Sequence, residues 1–230
     1  MAEAALYDLM SWMSPSWPIG AFAHSGGLEW AVEQGHVRDR ATTAEWIATL
    51  IEHGPLHNDL VVFVHAWRAV QARDAKRLLD VAELAAATQT SFERRLEATA
   101  QGAAFRRIAL GSLTDTQPQT SSFPRRRESI ATSEMDSRLR GNDEVMDGAD
   151  FGRFLEPIED EDLTYPIAAA ALFAAHGIDL RQGLTAWLHG AVANFVSAAQ
   201  RLVPLGQTDG QKIMRDLRTR IFATVEAAIA

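Results

Sequence analysis

The chain has 230 residues, 47% of them apolar, and sets 22 Lys plus Arg against 30 Asp plus Glu for a formal charge of −8. That length suits one domain, or two at most, with ample apolar material for a buried core and against wholesale disorder. The acidic balance argues against a nucleic-acid binder, which needs a basic face, and the absence of cysteine removes disulfides, thiolate nucleophiles, iron–sulfur ligation and cysteine zinc sites together.

Met1-Ala2-Glu3 opens without a basic n-region or an apolar run, so no secretory signal is expected. Ala5, Leu6, Leu9, Met10 and Met13 then follow helical spacing. Ser14-Pro15-Ser16-Trp17-Pro18 stops that helix, because each proline disfavours the α region for the residue before it. A glycine-rich turn from Gly20 to Gly27 leads to a short helix from about Leu28 to Gln34, with Gly35 placed to end it. Thr42-x-x-Glu45 resembles a capping box ahead of Trp46, Ile47, Leu50 and Ile51. After Gly54-Pro55, a helix from about Leu56 to Gln71 carries Leu60, Val61, Val64 and Trp67 on one side. Asp74 can cap a helix through Ala87, and Thr90 or Ser91 another through about Leu110.

From Ser112 to about Asp150 the composition changes to Ser, Thr, Gln, Arg, Asp and Gly with few large apolar side chains. Such a segment cannot bury enough surface to offset its ordering entropy, and is expected to be a long disordered loop inside one domain. Helical pattern resumes near Phe151, passes the acidic run Glu159 to Asp162, and strengthens at Tyr165-Pro166. One helix should reach about Ala175 and another run from about Leu180 to Leu202 before Pro204. The stretch Gln182 to Gln200 carries no charge, yet Thr185, His189, Asn194 and Ser197 interrupt it, so it reads as a buried helix and not a membrane span. Gly206 to Gly210 is a turn, and Thr208 or Asp209 can cap a last helix. No alternating strand pattern and no repeat is present. The expected fold is all-α, a single-domain bundle of about eight to ten helices, and the expected location is cytoplasmic.

The chemistry-bearing residues form no persuasive catalytic set. Gly206 and Gly210 precede Gln211-Lys212 without Walker spacing, leaving either a structural turn or a helix N-terminus open to an anion. Gly26-Gly27 lacks the strand that a dinucleotide site requires. Among the seven histidines, His57 and His65 with Asp59 could hold a divalent metal, or could be partly exposed helix residues. His24 stands beside Ser25, but no orienting acid is identifiable. Trp12, Trp17 and Trp30 crowd the first loop, which suits either a core or a contact surface. The absence of a site favours a binding or scaffolding role.

Three segments together resemble the urease accessory protein F family. They are the run from Met13 to Glu29 (MSPSWPIGAFAHSGGLE), Glu93-Arg94-Arg95-Leu96-Glu97 followed by Gln101-Gly102, and Tyr165-Pro166 followed by the run from Ser197 to Gln211 (SAAQRLVPLGQTDGQ). The resemblance covers roughly residues 1–110 and 150–230. It implies an all-helical, homodimeric chaperone component of nickel insertion into apo-urease, not an enzyme. It would bridge an accessory protein of the D/H type and a GTPase of the G type. The partners would handle nickel and GTP, so no cofactor is expected on this chain. The residues it places at partner-binding surface are Pro18, Gly20, Phe22, His24, Ser25, Gly27, Leu28, Glu29, Arg94, Glu97, Tyr165, Arg201, Pro204, Leu205, Gly206, Gln207, Thr208, Asp209, Gly210 and Gln211.

Two features depart from the family pattern. The runs Ser122 to Ser129 and Met135 to Glu144 look like a translated mobile repeat, which would carry no selected function. The family continues past its last helix into a tail containing a His-Glu and a basic–aromatic ending, whereas this sequence stops at Ile229-Ala230. The competing readings are a metal-dependent hydrolytic enzyme built on His24, His57, Asp59 and His65, and a truncated, non-functional paralogue.

Overall fold

A computed structural model describes residues 3–20, 26–113 and 148–230. Ten helices and no strand occur among the described residues. The long loop expected over about 112–150 falls largely outside them. At its edges Ser112 and Leu113 belong to a helix, and the next helix already begins at Gly148.

The centre of the molecule is α8 (Tyr165–Ala175), in which every residue from Pro166 to Ala175 is buried. Its sequence is apolar on all sides, the composition of a helix that neighbours surround completely. Those neighbours are α4 (Pro55–Gln71), α6 (Phe92–Leu113), α7 (Gly148–Leu155) and α9 (Leu180–Leu202). Short alanine side chains let them come close, and Phe173 fills the wider gaps, stacking on Trp12 and meeting Phe63 edge-on. α10 (Gln207–Ile229) packs antiparallel along α9 and across α3 (Arg40–Glu52). α5 (Ala75–Ala87) joins α4 to α6, and α1 (Glu3–Trp12) adds Leu9 and Trp12 to the main core. A smaller core holds α2 (Leu28–Glu33) against the end of α9 through Leu28, Ala31, Val37, Ala198, Ala199 and Val203.

Helix ends match the sequence with informative differences. The capping box lies one turn earlier than Thr42-x-x-Glu45: Thr42 N–H donates to Asp39 Oδ1 at 2.9 Å, and Asp39 N–H donates to Thr42 Oγ1 at 3.1 Å. Asp39 wins because a carboxylate at the cap accepts an otherwise unpaired amide and faces the positive helix end. Asp74 and Ser91 cap as expected, accepting from Arg77 N–H and Arg94 N–H. Neither Thr208 nor Asp209 is the cap of α10. That cap is Gly206, and Asp209 works from inside the first turn by accepting from Gly206 N–H at 3.3 Å.

Two carbonyls at and just beyond the far end of α8 also accept from α4 side chains. Gln71 Nε2 donates to Ala174 O at 2.8 Å, and Trp67 Nε1 donates to Ile178 O at 3.1 Å. On the opposite side Arg106 of α6 donates to Leu155 O and Ile158 O and pairs with Asp160, which holds the irregular stretch before α8. There Gly102 is required. A Cβ at this position would overlap the Leu163 carbonyl oxygen and lie 2.7 Å from Thr164 C, so only glycine lets α6 lie against that backbone.

Candidate functional site

The residues singled out from the sequence divide into three places. The first is a cleft of about 590 Å³, counting its open mouth, between α4, α6, α8 and α9. Asp59 comes from α4; Arg94, Glu97 and Gln101 stand one turn apart on α6; Tyr165 starts α8; Trp187, Asn194 and Phe195 line the α9 wall. Arg94 Nη1 donates to Glu97 Oε2 at 2.8 Å, and Gln101 Nε2 donates to Glu97 Oε1 at 3.2 Å, so both oxygens of Glu97 are engaged. Asp59 is only 7% exposed, and its nearest cation, Arg94 Nη2, is 4.0 Å away, too far for a hydrogen bond. Burial therefore dominates and pushes the Asp59 carboxyl up to about 7; Arg94 pulls it back in part and Glu97 adds to the rise. Burial likewise raises the Tyr165 phenol above its ordinary value. Tyr165 packs between Phe105 and Trp187, at ring-centroid separations of 5.4 and 5.9 Å.

The second place is the turn that joins α9 to α10. Pro204, Gly206, Gln207, Thr208 and Gln211 are exposed, and Leu205 and Asp209 are half-buried. Gly210 is buried, because a Cβ there would stand 2.7 Å from Gln200 Nε2, and that amide donates to Gly206 O at 3.3 Å. Exposed Arg201 folds back on its own helix, donating to Ser197 O and Ser197 Oγ. The third is the first loop. Pro18, Gly20, Gly27 and Glu29 are exposed, whereas Leu28 is fully buried and serves the small core. Phe22, His24 and Ser25 lie outside the described residues.

The metal reading on His57, Asp59 and His65 does not assemble. All three sit on α4, and eight residues separate the two histidines, which at about 1.5 Å per residue sets them roughly 12 Å apart along the axis. His65 is exposed while Asp59 points into the core, and no group of three metal-ligating side chains occurs among the described residues. His24 lies outside them.

A further face was not legible as a site in the sequence. Leu6, Tyr7 and Met10 of α1 are 48%, 73% and 66% exposed, and Phe222 of α10 is 50% exposed. Leu6 and Phe222 flank a groove of about 1190 Å³, including its open side, between α1, α9 and α10. Leu9 and Val225 also line it, and Arg181, Glu226 and His189 give it a polar rim. The available signal was α1 itself, whose apolar residues cover more than the one stripe that a core requires.

Fold and surface define an all-α protein built around one buried alanine-rich helix, with an apolar groove left open to solvent. The family model for UreF matches residues 37–218. Urease accessory proteins UreF from Rhodopseudomonas palustris (strain HaA2) and Bradyrhizobium sp. (strain BTAi1 / ATCC BAA-1182) are 41% and 40% identical over 226 residues, covering 98% of this chain and 81% and 80% of theirs. That of R. palustris (strain BisA53) is 41% identical over 227 residues, 99% of this chain and 81% of its own. The chain belongs to the UreF family of urease accessory proteins.

Proposed function

We propose that this protein is a non-catalytic subunit of urease maturation, a homodimer that bridges a D/H-type accessory protein and a G-type GTPase while nickel enters apo-urease. In this reading nickel and GTP stay with the partners, and the chain works as one cytoplasmic domain. The observation that carries it is the α1/α9/α10 groove. An apolar patch with a polar rim is the usual mark of a protein contact, and leaving Leu6, Tyr7, Met10 and Phe222 in water is costly unless a partner covers them. The D/H-type partner is assigned to this groove. No described helix is long and apolar enough to cross a membrane.

The test is co-expression with the D/H-type and G-type proteins followed by size-exclusion chromatography. The intact chain is expected to co-elute with both. Leu6→Glu combined with Phe222→Glu places two charges in the groove and should abolish co-elution with the D/H-type protein, with the melting temperature unchanged. Full co-elution of the double variant would refute the assignment of the groove, and failure of the intact chain to bind either partner would refute the function.

A further inference from the structure

Most of the charge on α6 is met within the chain. Arg94 pairs with Glu97, Arg95 with Asp162 and Arg106 with Asp160. Glu93 and Arg107 are exposed, opposite in sign, and without an ion pair among the described residues. Two heptads separate them, with Ala100 midway. A helix drifts only about 20° per heptad, so Glu93, Ala100 and Arg107 stand on one ridge. That ridge points away from Ala98, Phe105 and Ala109, which α6 buries. Beside it Phe92 and Leu96, one turn apart, are 75% and 58% exposed. Neither residue serves the core or lines the groove of α1, α9 and α10.

Charge selects what covers this face. A second α6 laid parallel would set Glu93 against Glu93 and Arg107 against Arg107. A second α6 related by a two-fold axis through Ala100 runs antiparallel, and each Glu93 then meets Arg107 of the other copy. One symmetry operation satisfies both charges twice over. It also places Leu96 level with Ala103 and Ala104 of the other copy, whose short side chains leave room for it. The contact runs about 21 Å, fourteen residues at about 1.5 Å each. We infer that this face of α6 is the interface of the homodimer, with two copies packed antiparallel about Ala100. Phe92 and Leu96 supply the affinity, and the solvent-exposed ion pairs set the register. The inference rests on the homodimer of the proposed function and on no other part of it.

The chain has no cysteine, so Ala100→Cys reports on the axis directly. Mild oxidation should link it to itself, because the axis brings the two Cα atoms within the roughly 7 Å that a disulfide spans. Ala72→Cys, exposed at the end of α4, should stay unlinked. Sedimentation equilibrium on the full chain gives the dimer constant, with circular dichroism to confirm that each variant is helical. Leu96→Arg should weaken the dimer at least about tenfold. Glu93→Arg and Arg107→Glu each bring like charges together and should weaken it roughly five- to thirtyfold at low salt. The two exchanges combined restore opposite charges and should return the constant to within about threefold of the parent. A dimer that ignores Leu96→Arg, a charge exchange without rescue, or an Ala100→Cys that stays unlinked would overturn this interface and leave the homodimer standing. A chain monomeric at every concentration would overturn both, and co-elution with the D/H-type and G-type proteins is measured separately.

Discussion

Asp59→Asn keeps the size and polarity of a buried side chain and removes only its ability to ionise. In the unfolded chain this carboxyl titrates near 3.8, and in the folded protein near 7. Between those values the unfolded chain gives up a proton that the folded protein keeps. Stability from this group is therefore full in acid, falls as pH rises from about 4 to about 7, and stays low above. A gap of about three pH units at about 1.36 kcal/mol each sets an upper size of about 4 kcal/mol. Water in the cleft mouth reduces that, so a gain of about 2–4 kcal/mol is expected for Asp59→Asn at pH 8. About two-thirds as much is expected near pH 6, and little gain near pH 4. For a chain of this size a gain of 2–4 kcal/mol raises the melting temperature by roughly 5–15 °C. Urea unfolding followed by tryptophan fluorescence, run on both proteins at each pH, reads the difference directly, and the other carboxylates cancel in it. A variant less stable than the parent at pH 8, or a difference that does not change with pH, would refute the account of Asp59 as a buried and unpaired carboxylate.

Gly102→Ala should cost about 3 kcal/mol or more, because the added carbon overlaps the Leu163 carbonyl and α6 must shift away from α8; calorimetry should show the melting temperature falling by at least about 6 °C. Leu28→Ala should cost about 2–5 kcal/mol by opening a void in the small core. If Leu28 instead contacted a partner, the variant would melt normally and lose binding, so unfolding and co-elution measured together decide between the two.

The helical class was legible because each element carries its own local signal: Asp74 and Ser91 at caps, Pro55 and Pro166 in first turns, and apolar spacing of 3.6. Boundaries slipped where two residues could serve, as with Asp39 against Thr42 and Gly206 against Asp209. There the choice depends on the angle at which the chain enters the helix, which spacing does not encode. The cleft was legible in pieces. Arg94, Glu97 and Tyr165 stood out by resemblance and Asp59 as a possible metal ligand, but residues more than a hundred positions apart meet only through helix packing. The groove escaped because exposed apolar residues follow the same spacing as buried ones. Only the absence of a neighbour distinguishes them, and a neighbour is a property of the fold.

Leu110 of α6 lies against Gly152 of α7, where a Cβ would be 3.3 Å from its Cδ2. From that contact α6 runs on only to Leu113, and α7 has come only from Gly148. The chain thus leaves and re-enters the folded body at one corner. Closing a span between fixed neighbouring points depends on its length only logarithmically, about 0.6 kcal/mol per doubling. This corner is accordingly a natural port for foreign cargo: a fluorescent reporter or an affinity tag spliced between Leu113 and Gly148 would ride on the helices without prising them apart.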